Sequence, residues 1–266
     1  MTGGTESGIE SCQPVSGIAP SVVGMETYVL IPGFWLGGWA WRPVTQELRA
    51  RGQEVFPVTL TGMAERVGQA RPDTDLEVHV TDVLDLLRYE DLTDVVLVGH
   101  SYAGAVVVPA VADRAPERIS RLVFVDCGPL PDGAANADFA APDERARQVE
   151  QVTTEGDGWK LPPPPWARLA EGVEDLDPRW VTALTERSVP QPWATATTPA
   201  SLTGAWEKLP RLGVLSTFTE RQARELAASV PLMRHMDGDR WRYVELPSWH
   251  WPMFTRPAEL ADALTG

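Results

Sequence analysis

The chain contains little cysteine and little lysine, and it has no long apolar run. Of its 266 residues only two are cysteines, Cys12 and Cys127, and two are lysines, Lys160 and Lys208. One cysteine lies near the amino terminus and the other follows a predicted strand, so we expect no structural disulfide and a reducing, cytoplasmic environment. Because no apolar run is long enough to cross a bilayer, no membrane span is predicted.

Positive charge is scarce as well, and the formal net charge is −14. A chain this acidic repels nucleic acid and anionic membrane surfaces, so neither is expected as a partner. A small-molecule substrate is the expected partner, and the oligomeric state stays open, with a homodimer as one option. The length and a hydrophobic content of 43% suffice for one large domain with a sizeable core.

Residues 1–24 differ in composition from the rest of the chain. They are rich in Gly, Ser, Thr and Pro, and they have neither a basic start nor a sustained apolar stretch, so they do not resemble a secretory signal. We predict a disordered tail here, with the folded part beginning at Met25.

Short apolar strands alternate with amphipathic helices over residues 25–127 and again over 211–266. This alternation predicts an α/β fold, a mostly parallel sheet flanked by helices. The pattern is interrupted over residues 128–210, which are rich in Pro, Trp, Asp and Glu and include the run "LPPPPW". We interpret this segment as an inserted, partly helical cap on the α/β core.

The stretch "VVLVGHSYAG" places Ser101 between a predicted strand and a predicted helix. Small residues stand two positions away on both sides, at Gly99 and Ala103, as a nucleophile elbow requires. Glycine is usual at the second position, so Ala103 is a mild departure, and Gly104 follows it. The alternative interpretation is a serine that merely caps the helix.

A serine nucleophile needs a base, and the best-placed histidine is His250. It follows the last predicted strand and precedes the last helix, which fits the chain order Ser, Asp or Glu, His. His79 is interpreted as a surface or packing residue and His100 as structural, because the elbow turns it away from the serine. His235 stays ambiguous.

Two carboxylates compete for the role of orienting the histidine. The usual position, after the next-to-last strand, holds no aspartate here, although Glu220 lies nearby and could equally belong to the start of a helix. Asp126 ends the apolar strand "LVFV" at the carboxyl edge of the predicted sheet, where sites form. We prefer Asp126 and keep Glu220 as the alternative.

Two backbone N–H groups are candidates for binding the oxyanion that forms during acyl transfer. Tyr102 follows the serine at a helix amino terminus, and Phe34 follows the turn at Gly33 after the first predicted strand.

Aromatic residues near these positions suggest a pocket for an apolar or aromatic substrate group. We assign Gly33, Trp35, Trp193 and Trp251 to this pocket. Ordinary core packing is the alternative for the tryptophans.

With these motifs the chain resembles the α/β-hydrolase superfamily. It is most similar to the branch of small esterases with plant methylesterases, hydroxynitrile lyases and bacterial salicylate-esterase-like proteins. The matching segments are "VLIPGFWLGGWAWRPV", "VTLTGMAER", "LVGHSYAG", "LVFVDCGPLPDG", "PQPWATATTPASLTG" and "SWHWPMFTRPAEL". The resemblance implies an α/β-hydrolase fold with a cap and a catalytic serine.

Three positions depart from the pattern of these relatives. Pro32 precedes Gly33 where many have histidine, and Thr219 stands where the family has its aspartate. Trp251 follows the histidine where hydroxynitrile lyases have a lysine, which disfavours a cyanide-releasing reaction.

The favoured function is a serine carboxylesterase that uses no cofactor and no metal. It would form an acyl-Ser101 intermediate on a small or aromatic ester, with His250 as base. The alternative is a lyase or cyclase of a polyketide-like metabolite, with His250 as acid–base and no acyl-enzyme. A binding module such as a hormone receptor is disfavoured by the intact Ser/His pair.

Overall fold

A central sheet with helices on both faces organises the computed structural model, which describes Met1 and residues 24–266. The predicted disordered tail therefore lies outside the described residues, apart from Met1 and Gly24. The strands found there are β1 Thr27–Ile31, β2 Glu54–Pro57, β3 Val95–His100, β4 Ile119–Val125, β5 Lys160–Leu161, β6 Gln191–Pro192, β7 Arg211–Leu215 and β8 Trp241–Glu245. The α-helices are α1 Arg42–Ala50, α2 Leu76–Tyr89, α3 Val108–Arg114, α4 Pro142–Thr154, α5 Trp166–Leu169, α6 Pro178–Arg187, α7 Trp193–Thr197, α8 Glu220–Ser229, α9 Pro252–Thr255 and α10 Pro257–Thr265.

Six strands form the main sheet in the order β2-β1-β3-β4-β7-β8, and every neighbouring pair is parallel. The predicted α/β class with a parallel sheet is confirmed. Strand β4 ends at Val125, because Asp126 takes a left-handed backbone conformation with a φ of 50°.

Both faces of this sheet are buried, which explains why its strands are apolar without alternation. Side chains of successive strand residues point to opposite faces. Val95 and Leu97 of β3 therefore pack into the core beneath α2 and α3, whereas Val96 and Val98 pack into the core beneath α1 and α10.

Parallel strands bring their carboxyl ends to one edge of the sheet. At this edge β3 leads into Ser101, β4 into Asp126, and β7 into Ser216 and Thr217. The loop after β8 carries His250 to the same edge. Topology alone thus gathers residues that are far apart in the sequence.

Residues 128–210 contain α4 to α7 and the antiparallel pair β5–β6. The helices α4 and α6 account for most of the helical residues in this segment, which confirms that it is partly helical. The strand pair was not predicted, because two-residue strands are too short to show a periodicity. The assignment of the segment as a cap stays a prediction.

No helix within residues 24–266 is both long enough and apolar enough to span a membrane. The cytoplasmic location and the homodimer stay predictions.

Candidate active site

Ser101 lies on a tight turn between β3 and the helical segment that leads into α3. Its φ is 51°, a left-handed conformation that side-chain-bearing residues rarely adopt. The turn is held on both sides, since the Ser101 N–H donates to Val125 O at 3.2 Å and the Ala105 N–H donates to Ser101 O at 2.9 Å. A strained residue held in this way is typical of a functional position.

The turn depends on a close approach between two glycines. A Cβ on Gly99 would lie 2.6 Å from the Gly104 nitrogen, and a Cβ on Gly104 would lie 2.3 Å from Cys127 Sγ. On the helix side, the residue that must lack a side chain is thus Gly104, one position later than the motif suggests. This explains how Ala103 is accommodated, fully buried, where glycine is usual.

His250 and Asp126 form a direct pair at this edge. The His250 Nδ1–H donates to Asp126 Oδ2 at 2.6 Å. Three further donors reach the same carboxylate: the N–H groups of Ser216 and Thr217 each bind Oδ1 at 2.8 Å, and the Thr217 hydroxyl binds Oδ2 at 2.9 Å. The Asp126 side chain is completely buried, so these bonds replace its hydration.

The charge state of this pair follows from the balance of burial and hydrogen bonding. Burial alone would raise the pKa of Asp126, but the hydrogen bond and charge of His250, with the N–H groups of Thr217 and Ser216, outweigh it and hold the pKa below its usual value. Asp126 is therefore an anion near neutral pH. The anion fixes the proton on His250 Nδ1 and leaves Nε2 free to accept one.

Glu220, the alternative acid, lies in a different environment. It begins α8, and its carboxylate pairs with Arg224 at 2.8 Å, with both side chains 43% exposed. The loop before it supplies hydrogen-bond donors to Asp126 rather than an acid. Sequence reasoning missed Ser216 and Thr217. Their position after β7, next to β4 in the sheet, was the available clue.

His100 lies beneath His250 and supports its backbone. The His100 Nε2–H donates to His250 O at 2.7 Å, and the two ring centroids are 4.8 Å apart. Burial, followed by the proximity of the His250 charge, lowers the pKa of His100 to about 3, so the ring is neutral. His235 is placed elsewhere, against Trp206 and 3.9 Å from Glu207.

A cavity of about 260 Å³ opens at Ser101 and His250. Wider hollows on the described surface, such as one of about 790 Å³ beside β2, contain neither residue. The remaining wall of the cavity is mostly apolar, and besides the buried carboxylate of Asp126 it carries one neutral amide. It consists of Tyr102, Ala105, Asp126, Cys127, Gly128, Leu130, Asn136, Phe139, Phe218, Leu226 and Met233. A small uncharged group fits such a wall.

The residues that the sequence assigned to the pocket do not line this cavity. Trp251 is buried against the Trp166 ring, with centroids 5.0 Å apart, and Trp35 donates its indole N–H to Leu161 O. Both side chains therefore lie beside this cavity rather than in its wall, and their assignment to a substrate pocket stays a prediction.

The other two assigned residues also lie outside the cavity wall. Gly33 lies against the turn itself, since a Cβ there would be 2.9 Å from His100 Nδ1 and 3.0 Å from Ser101 Cβ. Trp193 begins α7 and donates its backbone N–H to Trp159 O at 2.8 Å. Gly33 is thus required by the close approach of the loop to the serine.

Phe34 and Tyr102, the candidate oxyanion donors, lie side by side. Their ring centroids are 4.6 Å apart. Within residues 24–266 neither backbone N–H donates to another protein group. Phe34 and Tyr102 thus stay the predicted donors to an oxyanion.

Tyr102 is anchored by the buried His79. The Tyr102 hydroxyl donates to His79 Nδ1 at 3.0 Å, and His79 Nε2–H donates to the carbonyl of Thr61 at 2.9 Å. Because a carbonyl only accepts, this pair of bonds fixes a neutral tautomer. Burial is the main cause that lowers the pKa of His79 to about 4.

The buried, neutral His79 predicts that acid destabilises the protein. In the unfolded chain a histidine takes up a proton below about pH 6.5, whereas folded His79 stays neutral down to about pH 4. Stability should thus fall with pH by up to about 1.4 kcal/mol per pH unit from this residue. Glutamine offers the same acceptor and donor without titrating. His79→Gln should therefore remove this residue's contribution to the pH dependence of the unfolding free energy, measured by urea unfolding between pH 7 and 4.5.

The buried, neutral His100 also makes stability fall in acid, and it does so equally in wild type and in His79→Gln. The pH dependence that remains in the variant therefore serves as the reference. Parallel curves of unfolding free energy against pH for wild type and His79→Gln would contradict the prediction.

A parallel sheet with a serine on a left-handed turn after a central strand, and a His–Asp pair at the same edge, defines the class of α/β-hydrolase folds. The chain belongs to the alpha/beta hydrolase family, whose model matches residues 28–263. Its expected membership is thereby confirmed.

Individual relatives agree with this membership. The chain is 33% identical to a carbendazim hydrolyzing esterase of a Nocardioides species, over 90% of this chain and 98% of that protein. It is 31% identical to a putative chloroplastic methylesterase of Arabidopsis thaliana, over 52% of this chain and 41% of the relative. An extracellular alpha/beta-hydrolase from a Paenibacillus species superposes with a TM-score of 0.74 at 22% identity, covering 90% and 97% of the two chains. The chain is therefore a hydrolase, and both of these sequence relatives are named as esterases.

Proposed function

We propose that this hydrolase is a serine carboxylesterase, with Ser101 as nucleophile, His250 as base and Asp126 as the acid that orients the base. The observation that carries the proposal is the hydrogen bond between Asp126 and His250 Nδ1, in a cavity that also contains Ser101. The bond leaves His250 Nε2 as a proton acceptor on the side of the ring opposite Asp126.

The reaction proceeds in two halves. Ser101 Oγ attacks the ester carbonyl carbon while His250 takes the hydroxyl proton, and the N–H groups of Phe34 and Tyr102 bind the oxyanion. The tetrahedral intermediate collapses, and the alcohol leaves with the proton from His250. Water, deprotonated by His250, then attacks the acyl-Ser101 ester and releases the acid and the free serine.

The cavity supports a small, uncharged substrate with an apolar or aromatic group. Among residues 24–266, the charged side chain that lines it is Asp126, which is paired with His250. Phe139 and Phe218 supply aromatic surface, and Asn136 supplies one neutral polar group. Similarity to relatives named as esterases supports an ester as the reacting group.

Labelling with a fluorophosphonate tests the acyl-enzyme chemistry directly. We expect one adduct, on the peptide that contains Ser101, together with turnover of at least one aryl or alkyl ester in a panel. Heat-unfolded protein is the control and should stay unlabelled, because serine is activated only by the folded site. A folded protein that gives neither adduct nor turnover would refute the esterase, and turnover of a polyketide-like substrate without an adduct would favour the lyase or cyclase.

A further inference from the structure

Trp35, the neighbour of the proposed oxyanion donor Phe34, has an unusual backbone. Its φ is 66°, in the left-handed region that a large aromatic residue rarely enters. Such a conformation persists only where several contacts with the surrounding structure hold it in place.

All three hydrogen-bonding groups of Trp35 are held by residues 128–210. Its backbone N–H donates to Gln191 Oε1 at 3.1 Å, and its carbonyl accepts from the Val189 N–H at 3.1 Å. Its indole N–H donates to Leu161 O at 3.2 Å. The segment proposed as a cap therefore fixes the conformation of a loop in the core.

Gln191 is the side chain best suited to set this loop. It is 1% exposed, and both ends of its amide are engaged: Oε1 accepts from Trp35, and Nε2 donates to Thr195 Oγ1 at 2.8 Å. The Thr195 hydroxyl in turn donates to Pro192 O at 2.6 Å, so the direction of each bond is defined. A buried amide held at both ends has one orientation.

The N–H of Trp35 belongs to the same planar peptide unit as the carbonyl of Phe34. A bond that fixes this plane also restricts the rotation of Phe34 and hence the direction of its own N–H. We propose that Gln191 is a positioning residue for the oxyanion hole, acting through Trp35 on the Phe34 N–H. This proposal rests on the serine esterase function proposed above.

A misdirected Phe34 N–H would weaken binding of the oxyanion but not of the neutral ester. The loss should therefore appear in kcat, with little change in KM. Loss of a whole oxyanion donor costs about 10²–10³-fold, so we expect about 10–100-fold for loss of its alignment.

The variant Gln191→Met keeps the volume and removes both hydrogen bonds. We expect kcat to fall by about 10–100-fold with KM within about threefold, and affinity for an aryl trifluoromethyl ketone, which forms an oxyanion on the serine, to fall by the same factor. Gln191→Glu keeps an acceptor for the Trp35 N–H and should recover most of the loss.

Asp113→Ala is the matched control for loss of a buried anchor. The Asp113 carboxylate binds the N–H groups of Thr203 and Trp206, so it also ties residues 128–210 to the core. At a helical rise of about 1.5 Å per residue, Asp113 lies about 18 Å from Ser101 along the helical segment. We expect lower stability in this variant, with kcat within about threefold of wild type.

Amide hydrogen exchange at Trp35 provides a readout that needs no substrate. We expect faster exchange in Gln191→Met and unchanged exchange in Asp113→Ala. Unchanged exchange in Gln191→Met, or a kcat loss no greater than in the control, would overturn the positioning role. A wild type that hydrolyses no ester would overturn the esterase instead, and exchange would still decide whether Gln191 holds Trp35.

Discussion

Replacement of Ser101 by alanine is expected to reduce ester turnover by at least about 10³-fold while the protein stays folded. The variant loses the nucleophile but keeps the cavity and the candidate oxyanion donors, so the remaining rate is that of bound ester attacked by water. The elbow should persist, because alanine retains the Cβ and the strain at a φ of 51° belongs to the backbone.

Steady-state kinetics on one aryl ester, with circular dichroism and thermal unfolding of the same samples, measure this effect. The Ser101→Ala variant should also resist the fluorophosphonate. Turnover close to that of wild type in a folded Ser101→Ala protein would exclude an acyl-Ser101 intermediate.

The second large effect is expected for Asp126→Asn, with a loss of about 10²–10⁴-fold in kcat. The asparagine carbonyl would still accept from the N–H groups of Ser216 and Thr217, so the loop after β7 should stay in place. The amide group would then face His250 Nδ1 and act as a donor. That arrangement places the imidazole proton on Nε2, where the serine proton must go.

The control for this variant is Glu220→Gln, which should cost less than about tenfold. Glu220 forms an exposed pair with Arg224, and such surface pairs contribute little. Kinetics of both variants on one aryl ester decide between the two acids. An inactive Glu220→Gln beside an active Asp126→Asn would reverse the assignment and restore the usual position of the acid.

Most of the fold could be predicted, because each strand and helix leaves a local pattern. The strand–serine–helix junction located the elbow, and chain order located His250. The preference for Asp126 came from its position at the end of a strand beside that of the nucleophile. Its hydrogen bond to His250 agrees with that choice, while the catalytic roles stay proposals.

The cavity wall could not be predicted from sequence. Trp35 and Trp251 were assigned to it because aromatic residues near a site favour a pocket. In the structure both pack beside the site, and residues such as Phe139 and Met233, distant in the sequence, line the cavity. A short sequence motif does not indicate which of several apolar side chains faces a cavity, because each of them could equally well pack in the core.

The parallel sheet, the tight turn at Ser101 and the edge where the site forms follow from local periodicity and from small residues at fixed spacing, so they could be predicted from the order of the residues. The three-dimensional packing was needed to show that Asp126 meets His250, and that Ser216 and Thr217 donate hydrogen bonds to the Asp126 carboxylate. It also decided that Gln191 holds Trp35. Each of these contacts joins residues that are distant in the chain, and hydrogen bonds of this kind are chosen by the packing of strands and loops rather than by any local pattern.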